Sequence, residues 1–260
     1  MSIKQKSELH IVMADLHYPV HSKKAVDAVF DFIEQNRAQI KSVTLLGDAL
    51  DCQNISRHTV GKPGLRKSGG YKKDIDGFAK TILDRIDQLV PQAKRTYVCG
   101  NHEDWLESDM LDAMPEMKGT IDIPVMLNLK ARGWTWVPVG GHIKIGKVVL
   151  IHGDQIGSGA LVAKKMVDLI AGSAVMGHCH TAGSFTRSST IDDKRKWIGH
   201  TLGCLCTQSP NYAKGRPNAF VWGFGCIETF GSKSYANIHS IIIMPDGTFG
   251  FGGRVFGGGR

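Results

Sequence analysis

The stretch Ser42-Val43-Thr44-Leu45-Leu46-Gly47-Asp48-Ala49-Leu50-Asp51 sets a run of apolar and β-forming residues against a glycine and two carboxylates. Its first five residues read as a buried strand. Gly47 lets the backbone turn sharply where that strand ends. A carboxylate just beyond a buried strand stands at the sheet edge where ligand sites form in open α/β folds. Outward from this stretch the signals alternate. Residues 9–14 are a second short β-forming run, closed by Tyr18-Pro19. Residues 23–37 carry Ala25, Val26, Val29, Phe30 and Ile33 at helical spacing, and residues 75–89 repeat it through Ile75, Phe78, Ile82, Ile86 and Leu89. Pro91 stops that helix, and residues 95–99 read as a third strand. The β-α-β-α-β order predicts a mostly parallel sheet with right-handed crossovers.

The pattern changes further along. Residues 134–139, 142–145 and 147–151 read as closely connected strands, with Gly140-Gly141 and Gly146 at the turns. Residues 159–170 form an amphipathic helix and 173–176 a short strand. Beyond Gly183 only strand and turn signals remain, through 197–199, 219–227 and 237–244. The tail 250–260 is glycine-rich and either closes a sheet edge or stays free. With no internal repeat and no linker, the expectation is one domain over residues 1–260. Its core covers about 9–183, its strand-rich part 184–249 and its tail 250–260.

Bulk properties set bounds. Hydrophobic residues at 42% and charged residues at 22% are ordinary for a globular chain. No apolar run reaches the roughly 18 residues that cross a bilayer. Residues 1–8 lack the apolar stretch of a signal peptide, so the expectation is a cytoplasmic protein. The six cysteines form no C-x-x-C pair and read as reduced, packed thiols. A formal charge of +8 favours an anionic partner without naming it.

Metal-capable residues cluster behind the strands. Asp15 and His17 follow the first, Asp48 the second, and Asn101 and His102 the third. His152 ends a later strand, and His178 and His180 follow the short strand 173–176. Imidazole mixed with carboxylate oxygen suits Mn²⁺, Fe²⁺ or Zn²⁺. Asp15-x-His17 and His178-x-His180 set alternate residues on one side of an extended segment. There are too many histidines for one ion, whereas two ions sharing a carboxylate would use them all.

These blocks resemble the calcineurin-like metallophosphoesterases, whose signature runs D-x-H, G-D-x-x-D, G-N-H-E/D, H and G-H-x-H. All occur in that order between Asp15 and His180. The resemblance implies an α/β fold, a four-layer α-β-β-α sandwich of two mixed sheets flanked by helices. It implies that Asp15, His17 and His180 hold one divalent ion, that Asn101, His152 and His178 hold another, and that Asp48 bridges them. Mn²⁺ is the first choice, with Fe²⁺, Zn²⁺ or a mixed pair open. His102 matches the family's catalytic histidine, which contacts phosphate and protonates the leaving oxygen. Paired ions about 4 Å apart lower the pKa of a water between them and clamp both exchanging oxygens. The implied reaction is in-line attack of a bridging hydroxide on phosphorus. The seven ligands should therefore converge on one pocket.

Other residues carry weaker signals. His21 follows the first block, and Arg57-His58 the second; each is a candidate substrate contact. Asp154 beside His152 is either an orienting carboxylate or a solvated loop residue. His10, His142, His200 and His239 read as structural. Residues 57–73 carry Arg57, Lys62, Arg66, Lys67, Lys72 and Lys73, either a solvated loop or a phosphate-backbone contact. Residues 192–196 read as an exposed turn, and residues 211–216 have no placement. Trp105 reads as helix packing, with base stacking as the alternative. Asp51 is followed by Cys52 and Gln53 rather than the arginine of the family's serine/threonine phosphatases. That departure, with the basic charge, points to a phosphodiesterase acting on DNA, RNA or nucleotides. A phosphomonoesterase is the alternative, and a noncatalytic nucleic-acid-binding protein the third reading.

Overall fold

The computed structural model describes residues 7–53, 55–56, 70–111, 114–192, 196–208, 218–231 and 235–259, and all structural counts and absences refer to those described residues. The first half runs β1 (Glu8–Met13), α1 (Lys23–Asn36), β2 (Ile40–Leu46), α2 (Tyr71–Phe78), α3 (Asp84–Leu89), β3 (Lys94–Val98), α4 (Asn101–Trp105), α5 (Ile123–Met126) and β4 (Trp134–Val137). The second runs β5 (His142–Ile145), β6 (Val148–Ile151), α6 (Val162–Ile170), β7 (Ala174–Met176), β8 (Gly183–Ser188) and β9 (Lys196–Thr201). It ends with β10 (Gly223–Phe230), β11 (Tyr235–Ile242), β12 (Thr248–Phe251) and β13 (Arg254–Gly257).

Two mixed sheets result, flanked by helices. One has the order β11-β10-β1-β2-β3-β4, the other β5-β6-β7-β9-β8. Strands β1 to β4 pair in parallel, and β10 joins β1 antiparallel. Period-two alternation sorts the side chains. Leu9, Ile11 and Met13 of β1 pack with Val26, Val29, Phe30 and Ile33 of α1. Val12, with Ala14 just past the strand, points the other way and meets Leu150 and Val175 of the second sheet. Tyr97 and Val98 divide likewise between the two faces. Helix α6 covers the far side, where Val162 and Met166 pack on Ile151, Ala174 and Met176. The layers are therefore helix, sheet, sheet, helix, as the blocks implied.

Some expectations change. The three strands after Trp134 divide between sheets: β4 adds to β3, while β5 and β6 open the second sheet as a hairpin. Helix α6 starts at Val162 rather than at 159, because Gly157 and Gly159 hold φ of +89° and +118°, outside the helical region. The strand β8 carried no sequence signal, since five of its six residues are exposed. The tail neither extends a sheet edge nor stays free. It forms the hairpin β12-β13, which sets Phe249, Phe251 and Phe256 against Phe32 of α1. The Gly257 N–H donates to Asp31 at 3.0 Å. All six cysteines are buried, and none is in a disulfide. Among the described residues, no helix is long and apolar enough to cross a membrane.

Candidate metal centre

The parallel strands β1, β2, β3, β6 and β7 all end at one edge, and the residues just past those ends form the site. The backbone there is unusual. Asp15, His17, Asp48, His178 and His180 have φ between 49° and 65°, five of only eight described non-glycine residues with positive φ. Such residues persist only where surrounding structure fixes them, and they concentrate at functional sites. Gly47 and Gly100 are needed for space: a Cβ would lie 2.2 Å from His152 Nδ1 at the first and 2.2 Å from Asp48 Oδ1 at the second.

Seven groups meet in two sets joined at Asp48. Ligand atoms of Asp15, His17 and Asp48 lie within 4.8 Å of one another, as do those of Asp48, His152 and His178. His180 joins the first set, with Nε2 3.3 Å from Asp15 Oδ1 and 3.2 Å from His17 Nε2. Asn101 joins the second, its Oδ1 3.1 Å from both His152 Nε2 and His178 Nδ1. His152 Nε2 is 3.3 Å from Asp48 Oδ2. All seven positions named from the sequence thus converge.

The donor chemistry fits divalent cations. Carboxylate and amide oxygens alternate with imidazole nitrogens, the mixture that borderline first-row ions accept. The outer nitrogens decide the tautomers. His152 Nδ1 faces the Leu46 carbonyl at 3.0 Å, and His17 Nδ1 faces Asp51 Oδ1 at 3.0 Å. With Nδ1 donating, each ring in its neutral form turns its Nε2 lone pair toward the oxygens and nitrogens of its set. Acceptors held against acceptors in a buried space call for protons or cations between them.

The charges agree. Burial opposes ionisation of Asp15 and Asp48, but the surrounding histidines hold both below the usual carboxylate range. Burial pushes His17 down, helped by His102, and pushes His178 down, helped by His152; both favour the neutral, ligating form. For His152, burial is outweighed by Asp48, which carries it up to about 10. In His102, burial is outweighed by Asp48 and Asp51, and the imidazole is pushed up to about 9.

His102 is only partly buried. Its Nδ1 faces the Asp51 carbonyl at 2.7 Å, its Nε2 lies 3.9 Å from Asp48 Oδ2, and its ring lies against Trp105 with centroids 3.9 Å apart. Trp105 also packs on the main core, as the helix-packing reading had it.

Two residues matter more than their place in the motif suggested. Asp51 touches both His17 and His102, with Oδ1 3.0 Å and 3.5 Å from their Nδ1 atoms. Glu103 is buried and accepts four hydrogen bonds: from the backbone N–H of Asp48, Leu50 and Gly100, each at 2.9 Å, and from the Tyr97 hydroxyl at 2.7 Å. It ties the loop after β2 to the start of α4. The pairing of Gly100 with Glu103 three residues on is a capping arrangement that the sequence could have disclosed.

Not every candidate joins the cluster. His21 stacks on Tyr18 with ring centroids 4.9 Å apart, outside the ligand sets. Its backbone bridges to Cys206, beside the first set. Arg57, His58 and residues 211–216 lie outside the described residues, as does most of the basic stretch 57–73. Asp154 is close enough to His178 to favour its charged form. His10 is structural, with Nδ1 2.8 Å from Ser42 Oγ and Nε2 3.1 Å from Thr229 Oγ1.

No family model and no curated protein matches the sequence. Solved structures do. Vacuolar protein sorting 29 from Cryptosporidium parvum is 14% identical over 96% of this chain and 94% of its own, with a TM-score of 0.46. A dimetal phosphatase from Danio rerio is 10% identical over 90% and 98%, with a TM-score of 0.41. The nuclease MPE from Pseudomonas putida is 12% identical over 88% and 87%, with a TM-score of 0.36. At such identities and scores the likeness carries nothing about activity or substrate, and what this chain does must be read from its own residues.

Proposed function

We propose that this chain is a calcineurin-like metallophosphoesterase, one domain that hydrolyses phosphoesters with two divalent ions. The observation that carries this reading is the pair of donor sets meeting at Asp48, with a partly buried His102 beside them. Asp15, His17, Asp48 and His180 would hold one ion, and Asp48, Asn101, His152 and His178 the other. When bound, such ions supply Lewis acidity to a phosphoryl oxygen and lower the pKa of water.

The chain's own residues do the rest. Asp51 fixes the rings of His17 and His102, and Glu103 fixes the loop that carries Asp48. The Asp51 carbonyl takes the Nδ1–H of His102, which leaves the Nε2 proton to be delivered to a leaving oxygen. Burial of Asp15 and Asp48 excludes water that would screen their attraction for a bound cation.

The finer reading is a phosphodiesterase acting on nucleic acid or nucleotides. It is supported by the net charge of +8 and by Cys52-Gln53 after Asp51. The test compares hydrolysis of a bis-aryl phosphodiester with that of an aryl phosphomonoester, in Mn²⁺ and in chelator. Diester preference that needs metal, Asp48 and His102 is the expected result, read against Asp48→Asn and His102→Ala. Monoester preference would move the protein to the phosphatases.

A further inference from the structure

The centre's histidines are held from behind by partners of different kinds. His17 turns its outer nitrogen to the Asp51 carboxylate and His152 turns its own to the Leu46 carbonyl. His180 has neither. Its Nδ1 faces the sulfur of Cys206 at 3.9 Å, a separation within reach of an N–H···S hydrogen bond. Its Nε2 points the other way, to Asp15 and His17. Cys206 is itself fixed. Its carbonyl accepts the Trp222 indole N–H at 2.9 Å, and its backbone bridges to His21. Next to it, the Leu205 N–H donates to the Asp15 carbonyl at 3.1 Å and the Leu205 carbonyl accepts from Ser22 N–H at 2.8 Å. Phe220 closes the ring of His180 from a further side, with centroids 4.4 Å apart. The Cys206 thiol is therefore buried and anchored: its S–H donates to the Thr207 carbonyl at 3.4 Å, and its sulfur faces the one outer nitrogen of the first set that has no oxygen partner among the described residues.

We infer that Cys206 is the positioning residue of His180: its sulfur takes the Nδ1–H and so presents the Nε2 lone pair to the ion held with Asp15, His17 and Asp48. This rests on the dinuclear reading above. Partners of this kind fix the tautomer and ring orientation of a ligating histidine, and their loss costs about 10- to 100-fold in metal affinity or activity. Sulfur is a weaker acceptor than the carboxylate behind His17, so His180 is held less firmly than its neighbours. The ion of the first set should accordingly be the one more easily lost.

The test is metal binding by the full-length chain, stripped with chelator and titrated with Mn²⁺ or Zn²⁺, with bound metal counted by mass spectrometry. Wild type, Cys206→Val and Cys206→Ser are compared, with Cys226→Ala, a core cysteine, as control. Valine fills the space but accepts no hydrogen bond, and the shorter serine hydroxyl falls back from His180. Both variants should bind one equivalent as wild type does and the other about tenfold more weakly, while their metal-free melting temperatures stay near that of wild type. Two equivalents at wild-type affinity in either folded variant would overturn the role of Cys206 alone. Fewer than two equivalents in wild type would overturn the dinuclear reading, and this inference with it. A metal-free melting temperature lowered in both variants, with equal loss of both equivalents, would make Cys206 a packing residue and also overturn it.

Discussion

At the scale of single residues the site depends on backbone that few side chains tolerate. Five residues of the donor sets sit at positive φ, and Glu103 holds the turn that places Asp48 by taking three backbone N–H groups at once. An amide in place of that carboxylate would set N–H against N–H. Each buried donor left unpaired costs about 1–3 kcal/mol. Glu103→Gln is therefore expected to fold, melt lower, and lose about 10- to 100-fold in turnover through displaced ligands. Circular dichroism with steady-state kinetics would check this, and unchanged kcat would refute it. The residues of the two donor sets were legible in the sequence because each block keeps its spacing and follows a strand. Glu103 was legible as a motif position but not as a clamp. Its four partners come from Asp48, Leu50, Tyr97 and Gly100, and only the fold brings those segments to one carboxylate. Cys206 gave no usable signal, since an isolated C-x-C pair lies far along the chain from His180.

Among the elements, the β-forming runs of β1 and β3 and the helical spacing of α1 were plain in the sequence, because the two strands are buried on both faces and α1 turns one face to the main core. Two features were not. The strand β8 is exposed along most of its length and so carries no apolar period. The assignment of β4 and β5 to different sheets depends on pairing partners distant in sequence. His10, which joins three strands through Ser42 of β2 and Thr229 of β10, offers a test of this region away from the ligands. Burial lowers its pKa below the ordinary 6.5, with Glu8 opposing in part. The unfolded chain thus takes up the proton first as pH falls, so stability should drop as pH falls through 6.5 toward the lower folded value. Denaturant midpoints of chelated protein between about pH 7.5 and about pH 5.5 should fall less steeply for His10→Gln than for wild type. Equal slopes would mean that the ring is not held neutral.

Over the whole molecule, the centre lies where the two sheets end together. Asp15, His17, Asp48 and Asn101 come from the edge of the first, His152, His178 and His180 from that of the second. Ions bound there would tie the sheets to each other in a way no single strand pairing does. A ligand that binds only the folded state stabilises it by about 2.7 kcal/mol at a hundredfold excess over its Kd. Chelation should therefore lower the melting temperature, and Asp48→Asn should remove most of the difference between metal-loaded and stripped protein. Calorimetry with and without chelator would show it; a melting temperature indifferent to chelator would count against ions bridging the sheets.

The most direct measurement returns Mn²⁺ in steps to chelator-stripped protein and follows hydrolysis of a bis-aryl phosphodiester at each step. Two ions sharing Asp48 predict almost no rate at the first equivalent, saturation at the second, and none at any step in Asp48→Asn. Full activity at one equivalent, or turnover that survives the loss of Asp48, would contradict a dinuclear hydrolytic centre.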